Sequence, residues 1–118
     1  MKREGKILIV EDNPLVAQAI EDAGARFQLV ADHATDGWDA IEKLEHERYT
    51  TIVIDADMPR RSGYGVLTYL REENGEDLRN VIVMSADEAS VQRHLGDERV
   101  RVIRKTDAVD ELAKALSE

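Results

Sequence analysis

Apolar positions along this 118-residue chain alternate between two spacings. Short, nearly unbroken apolar runs recur at Ile7 to Val10, Phe27 to Ala31, Thr51 to Ile54, Val81 to Met84 and Val100 to Ile103, and each predicts a β-strand. Helical spacing fills the intervals. Asn13 followed by Pro14 reads as a cap with proline at the first helical position, opening a helix to about Ala25 with Leu15, Val16, Ala19, Ile20 and Ala23 as its core stripe. A second helix is predicted from Ala34 to Glu47, with Gly37, Ala40, Ile41 and Leu44 on one face and Trp38 near its start. Gly63, Val66, Leu67 and Leu70 mark a third, stopped by Asn74-Gly75. A fourth, over about Asp87 to Leu95, shows little apolar periodicity and is expected to pack most loosely. Val109, Leu112, Ala113 and Leu116 form the stripe of a terminal helix.

Five strand–helix repeats with nearly continuous apolar strands imply a three-layer α/β architecture. The sheet is parallel and covered on both faces, because right-handed crossovers place helices on each side. The length suits one domain over residues 1–118, and no internal repeat, linker or low-complexity segment divides it.

In such a sheet all strands point the same way, so the groups that follow strand ends gather at its carboxyl edge. Here those groups are chemically capable. Ile7 to Val10 runs into Glu11 and Asp12, Thr51 to Ile54 into Asp55, Val81 to Met84 into Ser85, and Val100 to Ile103, past Arg104, into Lys105. Three carboxylates, a hydroxyl and an ammonium suit Mg²⁺ held by oxygen ligands and phosphoryl transfer to an aspartate.

Composition removes several other chemistries. Cysteine is absent, which excludes disulfides and thiolate zinc sites, and His33, His46 and His94 show no metal-ligand spacing. An excess of 25 acidic over 16 basic residues argues against direct nucleic-acid binding and favours a basic partner surface or a bound cation. No apolar stretch approaches membrane-spanning length, and Met-Lys-Arg-Glu-Gly leads straight into a short strand rather than a signal peptide, so the expected location is cytoplasmic.

The acidic pair Glu11-Asp12, the run Asp55-Ala56-Asp57-Met58-Pro59 with Gly63 behind it, Ser85-Ala86 and Lys105 resemble, in order and spacing, a response-regulator receiver domain over the whole chain. The resemblance implies a flavodoxin-like fold with strand order 2-1-3-4-5 and five helices. It implies that Asp55 takes a phosphoryl group from the phosphohistidine of a histidine kinase or phosphotransfer protein. Phosphorylation then shifts the face made by helix 4, strand 5 and helix 5, which serves an output domain, a protein partner or a second copy in a homodimer. Asp12 and Asp55 would ligate Mg²⁺ directly, Glu11 directly or through water, and the backbone carbonyl of Asp57 would complete the protein's share. Lys105 supplies a point charge to a phosphoryl oxygen, and the Ser85 hydroxyl bonds another. Such a domain signals; the only catalysis expected of it is its own phosphorylation and dephosphorylation. Asp57 and Asp87 hold positions that in the family flank the path of attacking water.

Two residues depart from the family pattern. Thr106 follows Lys105 where receivers usually place a cis-proline; without proline the cis form costs about 2.5–4 kcal/mol, so a trans bond is expected. Val102 stands where an aromatic ring usually moves with the switch.

Competing readings weigh on individual residues. Ser85-Ala86-Asp87-Glu88 is also a capping box for the fourth helix, Glu11 and Asp12 favour a following helix N-terminus, and Lys105 has the alternative of a solvated lysine. Arg60 and Arg61 read as a solvated loop corner, with contact to a phosphodonor protein as the alternative. Two alternatives concern the whole function. Glu11 with Asp55-x-Asp57 also resembles a topoisomerase–primase metal site, a reading that leaves Met58-Pro59, Ser85 and Lys105 unexplained; a pseudo-receiver would be expected to have lost an acid or the lysine. The chain stops at Ser117-Glu118 just beyond the last helix, which fits both a stand-alone carrier and a receiver cut from a longer regulator.

Overall fold

The computed structural model describes residues 5–59, 62–74, 78–95 and 100–117. Arg60, Arg61 and Gly75 lie outside the described residues, as does the side chain of His94. Strands β1 (Gly5–Val10), β2 (Leu29–Ala34), β3 (Thr51–Asp55), β4 (Val81–Ser85) and β5 (Arg101–Arg104) alternate with helices α1 (Pro14–Ala25), α2 (Gly37–His46), α3 (Ser62–Tyr69), α4 (Glu88–Leu95) and α5 (Ala108–Ser117). The strands form one parallel sheet in the order β2-β1-β3-β4-β5, as the family resemblance implies. Chain reversal between β1 and β3 leaves a crevice at the carboxyl edge, where Glu11, Asp55, Ser85 and Lys105 follow or end their strands.

Strand alternation sends successive side chains into separate cores. Leu8, Val10, Ile52, Ile54, Val81 and Val83 meet Ala40 and Leu44 of α2, Val66 and Leu67 of α3, and Val91 of α4. On the opposite face Ile7, Ile9, Val53, Ile82, Met84 and Ile103 meet Ala17, Ile20 and Ala23 of α1 and Leu112 and Leu116 of α5. The sheet is thus sandwiched, which explains why its central strands read as unbroken apolar runs. Val91 is the one buried side chain among those described in α4, in line with the loose packing expected of that helix.

Two sequence expectations are corrected here. Leu15, placed in the core stripe of α1, is 81% exposed; Ala17, Ala23 and Gly24 take the sheet-facing positions with Ile20. Leu15 lies about 200° around the helix from Ala17, and the near face uses small residues because α1 sits close to β1, where a Cβ on Gly24 would already touch Ile7 at 3.5 Å. The second strand runs Leu29–Ala34 instead of Phe27 to Ala31, and Ala34, assigned to the second helix, ends it. Polar Asp32 and His33 hid this. As an edge strand, β2 tolerates them because neighbouring elements satisfy them: the Tyr49 hydroxyl donates to Asp32 Oδ2 at 2.7 Å, and His33 pairs with Glu21 of α1. The Tyr49 hydroxyl, aided by Lys6 at 3.5 Å, holds the Asp32 carboxyl below its ordinary range against the opposing effect of partial burial.

The third helix also ends differently. Helix α3 stops at Tyr69 and continues as a π-helical turn over Leu70–Asn74, which still buries Leu70.

Candidate functional site

Glu11, Asp12 and Asp55 each offer a carboxylate oxygen within 4.8 Å of the others. Glu11 and Asp55 are buried, at 2% and 0% exposure, and Asp12 is exposed at the mouth. The backbone brings them together because Val10 lies opposite Ile54 in the β1–β3 register, so both strands deliver acids at the same level. Buried carboxylates this close repel one another unless a cation intervenes.

Lys105 supplies one counter-charge. It begins a 3₁₀ turn directly after β5, and its Nζ donates to Asp55 Oδ2 at 2.7 Å and lies 3.7 Å from Glu11 Oε2. Burial alone would lower the Lys105 pKa, but the hydrogen bond and charge of Asp55, joined by Glu11 and Asp57, outweigh it and raise the value. With its ammonium paired to Asp55 and close to Glu11, Lys105 is not an ordinary solvated lysine in this structure. No peptide bond among the described residues is cis, so Lys105 reaches Asp55 through the trans Thr106 bond expected from the sequence.

Glu11 is differently placed. Its Oε1 accepts the Asn13 amide at 3.0 Å, whereas its buried Oε2 has no hydrogen-bond partner. Burial, followed by the neighbouring Asp55, pushes its carboxyl up to about 7, against the lowering effects of the Asn13 amide and Lys105. A buried carboxylate with one oxygen left without a hydrogen-bond partner, in a cluster whose three ligand atoms lie within 4.8 Å of one another, is a donor set suited to a hard dication, and it fits Mg²⁺. Asn13 Oδ1, in turn, accepts the Leu15 amide at 2.9 Å and caps α1, so Glu11 is not spent on that helix end.

The Ser85 capping box is corrected by the structure. Helix α4 begins at Glu88, and its cap is Asp87, whose Oδ1 accepts the Ser90 amide at 3.0 Å. The buried Ser85 hydroxyl instead donates to Asp57 Oδ1 at 3.0 Å and accepts the Asp87 amide at 3.0 Å. Asp57 Oδ2 accepts the Ala86 amide at 2.7 Å, and the Asp57 amide donates to Asp55 Oδ1 at 2.8 Å. Sequence reasoning assigned Asp57 a backbone carbonyl role and a place near attacking water, but missed this carboxylate bridge, because a contact across 28 residues leaves no local pattern. It also missed a cavity of about 540 Å³ beside Asp12, bounded by Asp36, Trp38, Ile41, Met58 and Pro59, with Trp38 86% exposed on its rim.

Gly63 fixes the floor of the site. A Cβ there would stand 2.4 Å from the Asp55 carbonyl oxygen and 3.1 Å from Ile54 Cγ2, so only glycine lets the start of α3 close over β3. Gly63→Ala is expected to lower stability by about 1–3 kcal/mol and to disturb the acidic cluster; urea unfolding with and without Mg²⁺ measures both. An unchanged midpoint would show that α3 moves aside freely.

The family model for the response regulator receiver domain matches residues 7–117. The chain belongs to this family. Among curated relatives of this receiver, the probable C4-dicarboxylate response regulator DctR of Bacillus subtilis is 27% identical over 119 residues, covering 98% of this chain and 52% of DctR. The transcriptional regulatory protein DltR of Streptococcus agalactiae is 36% identical over 67 residues, covering 57% of this chain and 30% of DltR. The chain thus spans about half the length of these relatives or less. Among solved structures, the receiver domain of the Francisella response regulator 1452 superimposes with a TM-score of 0.77 at 27% identity, covering 95% of this chain and 93% of that one. The five-stranded receiver fold and the two-component signalling class are thereby shown. No described helix is long and apolar enough to cross a membrane.

Proposed function

We propose that Asp55 is the phosphoacceptor of this receiver, taking a phosphoryl group from a histidine kinase or phosphotransfer protein in a Mg²⁺-dependent reaction. One observation carries the reading: the buried Asp55 carboxylate is held at 2.7 Å by the Lys105 ammonium and lies within 4.8 Å of the ligand atoms of Glu11 and Asp12. Nucleophile, counter-charge and a dication site coincide. An Asp55 oxygen attacks the phosphorus, the phosphorus–nitrogen bond of the donor phosphohistidine breaks, and an acyl phosphate forms. Glu11, Asp12, Asp55 and the backbone carbonyl of Asp57 are the groups to hold Mg²⁺, which when bound neutralises the phosphoryl oxygens. On this reading Lys105 moves its charge from the carboxylate to a phosphoryl oxygen, and the Ser85 hydroxyl turns to bond another. The acyl phosphate is labile, so the same site governs decay of the signal.

The acidic net charge of −9 supports a protein partner over nucleic acid for this domain, and the response comes through the face of α4, β5 and α5, toward an output domain, a protein partner or a second copy. Val102 of β5 packs half-buried against the α2–α3–α4 core, so the response on this face runs without an aromatic rotamer. A cytoplasmic location follows from such partners. Family membership displaces the topoisomerase–primase reading, and the retained acids and lysine speak against a pseudo-receiver. Incubation with acetyl phosphate and intact-mass analysis test the proposal. One phosphoryl group per chain, taken up only with Mg²⁺, is expected; no uptake would return the domain to the pseudo-receiver class.

A further inference from the structure

We propose that Asp57 is a positioning residue that latches the unphosphorylated state: its carboxylate holds the Ser85 hydroxyl and the Ala86 amide, and a phosphoryl group on Asp55 must take both donors from it. This rests on the phosphoacceptor reading of Asp55 and adds a competitor built into the same loop.

Asp57 touches both ends of the switch. Its amide donates to Asp55 Oδ1 at 2.8 Å, while its two carboxylate oxygens accept from Ser85 Oγ at 3.0 Å and Ala86 N at 2.7 Å. From Ser85 the chain of bonds continues through the Asp87 amide at 3.0 Å to the Asp87 carboxylate, which caps α4 at Ser90. A rearrangement at Asp57 is therefore transmitted to the start of α4.

Competition follows from proton counting. A serine hydroxyl has one proton to donate, and a backbone amide has one, so neither serves Asp57 and a phosphoryl oxygen fully at once. Carboxylate and phosphoryl group are both anionic oxygen acceptors of the same kind of donor. Charge then decides the direction of exchange: a phosphoryl group on Asp55 repels a carboxylate only two residues away. Ser85 is buried but Asp57 is exposed, so the displaced carboxylate swings into water and recovers its hydration. The latch opens because the incoming anion replaces the resident one.

Asp57→Ala removes both acceptors and keeps the backbone carbonyl; Asp57→Asn removes the charge and keeps one amide oxygen. A latch closed in about nine-tenths of molecules weakens apparent affinity for an active-state ligand about tenfold. Beryllofluoride with Mg²⁺, read by amide chemical shifts, is the probe. Asp57→Ala should bind it about tenfold more tightly than wild type, Asp57→Asn should fall between, and free Asp57→Ala should show amides 86–95 displaced toward their beryllofluoride-bound wild-type positions. Magnesium titrations of each variant separate any change in metal affinity. Unchanged or weaker binding by Asp57→Ala, or shifts confined to residues 55–59, would overturn the latch. Equal gains for Asn and Ala without movement of amides 86–95 would reduce Asp57 to a repelling charge and overturn it equally. Failure of the phosphoacceptor reading shows separately, as wild type that takes neither a phosphoryl group from acetyl phosphate nor beryllofluoride, whereas failure of the latch alone leaves wild type labelled and Asp57→Ala no tighter in binding.

Discussion

Lys105→Ala is expected to slow phosphoryl uptake from acetyl phosphate about a hundredfold, and Asp55→Asn to abolish it at early times. The first figure is that of one preorganised charge lost from a water-poor site, about 2.7 kcal/mol of barrier. Lys105 earns that size by its position: Nζ contacts Asp55 at 2.7 Å and approaches Glu11 at 3.7 Å, so it faces both the nucleophile and the buried acid beside it. Asp55→Asn removes the nucleophile itself, and the amide oxygen left in its place carries no charge for Lys105 to match. Intact-mass time courses at several Mg²⁺ concentrations measure both variants. A folding check is built in, since Lys105→Ala retains all three acids and should still melt at higher temperature with Mg²⁺. Labelling of Lys105→Ala at the wild-type rate, or undiminished early labelling of Asp55→Asn, would remove these residues from the reaction.

Why these residues could be read from the chain, and others could not, has a physical basis. Glu11, Asp55, Ser85 and Lys105 stand at the ends of apolar runs, and a parallel sheet converts that one-dimensional position into spatial convergence. The same logic placed α2 and α5 closely, because their stripes face a flat apolar surface. It failed in part where small residues make the contact. Ala17 and Gly24 carry little hydrophobic signal, so the stripe of α1 placed Ile20 and Ala23 correctly but took in exposed Leu15 and left those two out. It failed again at β2, where Asp32 and His33 are strand residues only because Tyr49 and Glu21 meet them from elsewhere in the chain. Ser85 shows the limit most clearly. Its local sequence satisfies a capping box, yet its oxygen accepts the Asp87 amide inside a turn, its proton goes to Asp57, and the cap of α4 falls to Asp87. A local motif states what a side chain can bond, and the fold decides which partner is within reach.

Without metal, the domain is expected to lose stability as pH rises from about 5 to about 8, and with saturating Mg²⁺ that slope should flatten or reverse. Glu11 is the cause. Burial first, then the neighbouring Asp55 carboxyl, pushes its carboxyl from 4.5 to about 7 in the folded chain. Between those values the folded protein retains a proton that the unfolded chain gives up. The stabilising contribution is therefore fully present below about 4.5 and is lost as pH passes about 7, a change on the order of 3 kcal/mol. Mg²⁺ requires the ionised carboxylate, so its binding competes with that proton and strengthens as pH rises through the same window. At a hundredfold its dissociation constant the ion adds about 2.7 kcal/mol to the folded state, enough to offset most of the loss. Thermal melts at about pH 5.5 and about pH 8, each with and without Mg²⁺, give the four values required. Glu11→Gln isolates the group: it keeps an acceptor for the Asn13 amide, cannot ionise, and should remove both the metal-free slope and much of the Mg²⁺ stabilisation. A metal-free slope equal in wild type and Glu11→Gln would assign the titration to another group, and undiminished Mg²⁺ stabilisation of Glu11→Gln would take Glu11 out of the metal site.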